Sequence, residues 1–236
     1  FYVVKQTIRQ IEEDLPYSFL YELPKLNETS LQGHTRIFAL AREWIGYSQG
    51  QIDLTQAAIF IQDYQQVMPL TIGELWALPI MLRIGILERL VYATSELTGI
   101  EVPKSLSEIP IQFAVTLPND TVVANCFLSL RLLSATDWKD FFEETSRVEQ
   151  ILRDDPAQIY ADMDFDTRNS YRSVIEELAR LRKEQGEPRE VHDLLVHLRL
   201  RKVGVVGEVG GDDGAVLDDG GHARSPKAQD FLGFLV

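Results

Sequence analysis

The sequence predicts an all-α fold: an irregular array of helices around one buried, kinked central helix, followed by a flexible glycine-rich C-terminal tail. Three observations carry this. Apolar residues recur at helical spacing from Val4 to Leu198, the mark of amphipathic helices. Capping-box pairs precede several of these runs, and no period-2 alternation competes with them. The stretch Pro69–Leu90, PLTIGELWALPIMLRIGILERL, is the longest apolar segment and carries the clearest helix start.

In chain order, Val4, Ile8, Ile11 and Leu15 form a first stripe that stops before Pro16. Tyr17 to Leu31 reads as connection, with a short apolar turn at Phe19, Leu20 and Leu23. A second helix is predicted from about Gly33 to Tyr47, burying Ile37, Leu40, Ala41, Trp44 and Ile45. Asp53 and Gln56 have capping-box spacing for a third, with Ala57, Ile61 and Tyr64 inward.

The central helix follows, to about Leu97. Thr71 and Glu74 make a T-x-x-E capping box, and Leu70 and Leu75 occupy the two positions of a hydrophobic staple. Beyond it the helix is apolar nearly all round, which means burial in protein or in lipid. Lipid is excluded by length: a span needs about 20 mostly apolar residues, and Arg83, Glu88 and Arg89 interrupt this one. Pro79 removes a backbone hydrogen bond and crowds the preceding turn, so a kink near Leu75–Pro79 or a break into two helices is expected.

Pro103, Pro110 and Pro118 make 98–118 the best internal sub-boundary of a helical domain spanning 1–202. Asn119 or Asp120 is expected to cap a helix with Val122, Val123, Cys126, Phe127, Leu130 and Leu133 inward. Trp138, Phe141 and Phe142 mark a short helix, and Ser146 with Glu149 forms another box before Val148, Ile151 and Leu152. Asp166 is expected to cap a long helix to Lys183 whose stripe is Tyr171, Val174, Ile175 and Leu178. Gly186 and Pro188 end it, and Val191, Leu194, Leu195 and Leu198 give one more. Residues 203–236 form the tail: eight of the 15 glycines lie there, and acids outnumber bases six to two. Such composition does not bury enough apolar surface to offset its ordering entropy, so disorder is expected from Val203 to Asp230.

A net charge of −13 argues against nucleic acid or an anionic membrane surface as the main partner. Cys126 is the single cysteine, so neither a disulfide framework nor a cysteine-based zinc site is available. The first fifteen residues carry Lys5, Arg9, Glu12, Glu13 and Asp14, unlike a signal peptide, so the sequons at Asn27 and Asn119 read as chance. A start inside a helical pattern, without Met, suggests a fragment.

Chemistry-bearing patterns resolve into structural ones. Asp162, Asp164 and Asp166 form D-x-D-x-D, but an EF-hand loop would need Gly at Thr167 and Glu at Ser173; acids at a helix start fit capping and the macrodipole. Asp154-Asp155 lacks the third acid of a chelating motif, and Gly204, Gly207 and Gly210 do not follow dinucleotide-binding spacing. His34, His192, His197 and His222 are scattered, and no nucleophile–base arrangement can be assembled. Trp44, Tyr47, Tyr64, Trp76 and Trp138 could stack on sugars, but helical spacing makes them core residues first. No catalytic, cofactor-binding or metal-ligating residue is predicted; Thr71, Glu74, Pro79 and Asp166 are assigned structural roles.

Four passages carry a family resemblance: IRQIEEDLPYSFLYELPKL (Ile8 to Leu26), PLTIGELWALPIMLRI (Pro69 to Ile84), NCFLSLRLLSATDW (Asn125 to Trp138) and DPAQIYADMDFDTRNSYR (Asp155 to Arg172). Together they resemble the N-terminal region of the bacterial cyclic β-1,2-glucan synthases, from the first residues to about Leu181. The resemblance implies a large inner-membrane enzyme that builds β-1,2-glucan on itself from UDP-glucose and closes it into a ring. Its membrane spans and transferase domain lie after the matched region, and phosphorylase-like domains lie further on. None of those catalytic motifs occurs here, so no catalytic residue and no cofactor is carried over. The implied role is non-catalytic docking on those domains at the cytoplasmic face, with membrane association only through the parent enzyme. The glycine-rich tail departs from the family pattern, as a truncated or frame-shifted reading would. A free-standing interaction module, and a glucan-binding domain using Trp44 or Trp138, are the alternatives.

Overall fold

The computed structural model describes residues 2–15, 17–27, 31–102, 117–154 and 159–184. Among these the chain is all-α, with nine helices and no strand. It divides into two compact units, Phe1–Ser146 and Arg147–Val236. The predicted helix at 191–198, the tail at 203–236 and most of the 98–118 sub-boundary lie outside the described residues.

The first unit contains α1 (Tyr2–Asp14), α2 (Tyr17–Glu22), α3 (Arg36–Ser48), α4 (Leu54–Val67), α5 (Ile72–Thr98), α6 (Asn119–Ala135) and α7 (Trp138–Thr145). Helix α5 is its axis. It packs mainly against α3 and α6, while α1 lies against α5 and α6, and α7 against α4 and α5. Because α5 is apolar on nearly every side, it needs neighbours all round, and Leu78, Met81, Leu82 and Ile86 are 2% exposed or less. Ile37 and Ile45 from α3 and Leu130 and Leu133 from α6 meet them in the core. Gly85 lets α3 come close: a Cβ there would sit 2.5 Å from Ile45 Cδ1. Trp76 stacks on Phe142 at 4.6 Å, joining α5 to α7.

The start of α5 is a complete capping box. Thr71 Oγ1 accepts from the Glu74 N–H at 3.2 Å, and Glu74 Oε2 accepts from the Thr71 N–H at 2.9 Å. Pro79 does not break the helix, which runs unbroken for 27 residues to Gly99, a left-handed C-cap with φ 71°. Of the two expected outcomes, a kink or a break, the break into two helices does not occur: Pro79 is buried, and α5 packs against α3 and α6.

Other expectations shift by a residue or a turn. Helix α3 begins at Arg36, because Leu26 and Arg36 bond to His34 and Pro24 and form an isolated antiparallel bridge, Lys25 to Thr35. On α1 the residue buried to 1% is Thr7, whose hydroxyl donates to Val3 O at 2.9 Å, while Ile8 is 44% exposed. On α4, Asp53 accepts from the Gln56 N–H as expected, but Gln65 rather than Tyr64 is buried. Its amide donates to Thr145 O at 2.8 Å, tying α4 to the end of α7. Helix α6 has Pro118, not Asn119 or Asp120, at its N-cap position.

The second unit contains α8 (Arg147–Arg153) and α9 (Phe165–Glu184). Asp166 lies in the first turn of α9. The cap is instead Asp164, whose carboxylate accepts from the Thr167 N–H at 2.9 Å and its hydroxyl at 2.6 Å. Backbone geometry decides this: an N-cap acid reaches the N–H two or three residues ahead, and Asp166 is already helical.

Candidate functional site

Among the described residues, buried charge falls at five places, four in the first unit and one in the second. Arg36 donates to Glu74 through two nitrogens, Nε at 2.8 Å and Nη2 at 2.5 Å, and also to Pro69 O at 3.0 Å. Arg42 pairs with Glu88 at 2.9 Å, with both side chains nearly buried. Burial pushes the Glu88 carboxyl up from its ordinary value, against the pull of Arg42. Arg83 donates to Leu133 O at 3.1 Å, placing a cation near the C-terminal end of α6, where the helix dipole favours it.

Arg89, Asn125 and Ser129 clamp the turn between α3 and α4. Arg89 donates to Gln49 Oε1 at 3.2 Å, and Asn125 donates to Gln49 O at 3.3 Å. Ser129 donates to Gly50 O at 2.7 Å and accepts from Ile52 N at 2.8 Å. Gln49 and Gly50 both have positive φ, 52° and 78°, and a Cβ at Gly50 would lie 2.8 Å from Cys126 Sγ. Cys126 itself is buried, and desolvation pushes its thiol up to about 11, so it carries little thiolate at neutral pH.

In the second unit the Glu149 carboxylate gathers Arg153 at 2.7 Å, the Tyr160 hydroxyl at 2.6 Å, Arg168 at 3.4 Å and Arg172. Glu149 and Arg172 are fully buried. Burial alone would raise the Glu149 carboxyl, but the bonds from Tyr160, Arg172 and Arg153 outweigh it and hold the group below its ordinary value. Tyr160 is pushed the other way by burial and by its bond to Glu149, which keeps the phenol protonated. A saturated carboxylate and a phenol held neutral do not make an acid–base pair at neutral pH. Sequence reasoning read Glu149 as a capping acid and missed this centre, since its partners Tyr160 and Arg172 lie 11 and 23 residues away.

A cleft of about 300 Å³ opens on the first unit. Its apolar walls are Leu15, Leu20, Phe38, Met81 and Ile84, and Tyr21, Lys25, His34 and Thr35 add polar groups. His34 stacks on Phe38 at 5.5 Å, and the Lys25 ammonium lies 4.8 Å from the centre of the Tyr21 ring. Among the described residues, no carboxylate lines the cleft. Such a site can bind an apolar group next to a negative charge.

The residues singled out from sequence are not brought together. Thr71 and Glu74 meet as a cap, Pro79 is buried further along α5, and Asp166 belongs to the other unit. Among the described residues, no three His, Cys, Asp or Glu side chains are placed to hold a metal ion. Trp44 is 8% exposed, with Phe60 at 5.1 Å against it. No described helix is long and apolar enough to cross a membrane.

The fold and these sites define a helical module with buried ion pairs. No family model matches its sequence. The chain is similar to the cyclic β-(1,2)-glucan synthase NdvB of Rhizobium meliloti (strain 1021), with 23% identity over 248 aligned residues. The alignment covers 76% of this chain and 9% of that protein.

Proposed function

We propose that the chain is a non-catalytic helical portion of an enzyme that makes cyclic β-1,2-glucan from UDP-glucose, and that it docks on other domains of that enzyme. The similarity to the glucan synthase carries this reading, since it takes in 76% of the chain while spanning 9% of the relative. The buried acids support it: Glu74, Glu88 and Glu149 are each engaged by arginine and so serve packing. On this reading the partners are the transferase and phosphorylase-like domains of the parent enzyme. The module sits at the cytoplasmic face of the inner membrane, held there by other parts of that enzyme.

Incubating the purified 236-residue chain with radiolabelled UDP-glucose tests the central claim. Label should enter neither the protein nor a glucan. Incorporation above that of a heat-denatured control refutes a non-catalytic role.

A further inference from the structure

The cleft in the first unit differs in its charge from the chain as a whole. The chain carries a net charge of −13, yet among the described residues the cleft's ionisable groups besides Tyr21 are Lys25 and His34. Neither is paired with an acid within salt-bridge distance among the described residues, and the Lys25 charge rests on the Tyr21 ring. Close to His34, Arg42 and Glu88 pair with each other, and Glu88 also feels the charge of His34.

A backbone edge runs along the same rim. In the Lys25–Thr35 bridge the bonds run from Leu26 N to His34 O and from Arg36 N to Pro24 O, each 2.9 Å. Lys25 and Thr35 are thus a non-hydrogen-bonded pair, whose side chains stand close together on one face. The Lys25 N–H and C=O face away from Thr35 and are unpaired among the described residues. An extended segment can add main-chain bonds to such an edge while its side chains enter a neighbouring pocket.

We infer that this cleft receives an acidic, apolar peptide segment from the remaining domains of the same enzyme. Bulky side chains enter the trough formed by Leu15, Leu20, Phe38, Met81 and Ile84, and a carboxylate faces Lys25 and His34. The source of the peptide rests on the proposed function; the chemistry of the cleft does not. A glucan is a poorer occupant, since its hydroxyls need hydrogen-bond partners that apolar walls do not supply. At about 300 Å³ the cleft also lies at the lower end of the ~300–1,000 Å³ typical of ligand pockets.

The test is a titration of the ¹⁵N-labelled 236-residue chain with acetyl-Leu-Phe-Leu-Asp amide, its Asn counterpart, its Lys counterpart and decanoate. The Asp peptide should shift the Gly33, His34 and Thr35 amides and bind about fivefold tighter than the Asn peptide, the scale of an exposed ion pair. Lys25 is exposed, so Lys25→Glu retains the fold and should reverse the order, with the Lys peptide now tighter than the Asp peptide. Equal affinity for Asp and Asn peptides, absence of binding, or shifts confined to other residues overturns the inference. Decanoate binding tighter than the Asp peptide overturns the peptide as occupant. If UDP-glucose transfer is absent and the peptides fail, only the cleft inference falls; if transfer occurs, the functional proposal falls whatever the peptides do.

Discussion

Arg36 and Glu74 lie 38 residues apart in sequence and meet through two hydrogen bonds, of 2.8 and 2.5 Å, at the point where α5 begins. One carboxylate does two things there. It closes the capping box by accepting from the Thr71 N–H, and it anchors the guanidinium at the head of α3. The local signal that starts the central helix is thereby joined to the packing of its main neighbour.

This relationship ranks two substitutions. Thr71→Ala removes the hydroxyl side of the cap and should cost about 1 kcal/mol. Glu74→Gln also leaves the Arg36 guanidinium, 14% exposed, without its counter-charge. Breaking a mostly buried pair in this way should cost about 3 kcal/mol. Urea unfolding midpoints of the two variants give the comparison, and a Glu74→Gln cost no larger than that of Thr71→Ala contradicts the coupling.

Pro79→Ala should stabilise the protein. A proline inside a helix costs about 3 kcal/mol. Alanine forfeits two buried ring methylenes, worth about 0.8 kcal/mol each. The balance favours alanine by about 1 kcal/mol, and thermal unfolding should show a higher Tm. A lower Tm means that the ring's packing is worth more than the hydrogen bond it displaces.

Gly50 and Gly99 have similar positive φ, 78° and 71°, but different surroundings. Nothing lies within 4 Å of a Cβ at Gly99, whereas one at Gly50 meets Cys126 Sγ at 2.8 Å. Gly99→Ala should therefore cost the backbone strain alone, about 1–2 kcal/mol. Gly50→Ala should cost more, and the excess should shrink in a Cys126→Ala background. Additive effects in that double-mutant cycle contradict the close approach.

The Glu149 cluster makes an acid-dependent contribution to stability. Its carboxyl is held below the ordinary value of 4.5 in the folded state. A group with a depressed folded pKa stabilises fully above its unfolded pKa, and loses that contribution as pH falls through the folded one. Wild type and Glu149→Gln should thus differ most at neutral pH and converge below pH 4.5. Chemical denaturation of both across pH 3–7 measures the difference, and a gap independent of pH removes Glu149 as the titrating group.

The extent to which the fold was legible follows from the range of each interaction. Asp53 with Gln56 and Thr71 with Glu74 are neighbours along one turn, so residue type and spacing suffice to find them. Asp166 shows the limit of that logic: three acids stood at alternate positions, and the start of α9 selected Asp164 as the cap. On α4, Gln65 faces the interior because Thr145 O is there to accept from its amide, a fact no hydrophobic pattern contains. The cleft was equally hidden, since its walls are drawn from the residue after α1, from α2, from the loop before α3, and from α3 and α5, and no single stretch marks it.

By itself, then, the sequence determined the helical class, the position and start of the central helix, and its need for burial, because these depend on periodicity and capping within a few residues. The tertiary structure alone decided that Pro79 lies in an unbroken helix, that Arg36 completes the Thr71–Glu74 cap, and that Glu149 gathers Arg153, Arg168, Arg172 and Tyr160. Buried charges find partners by proximity in space, and that proximity is set by how helices pack.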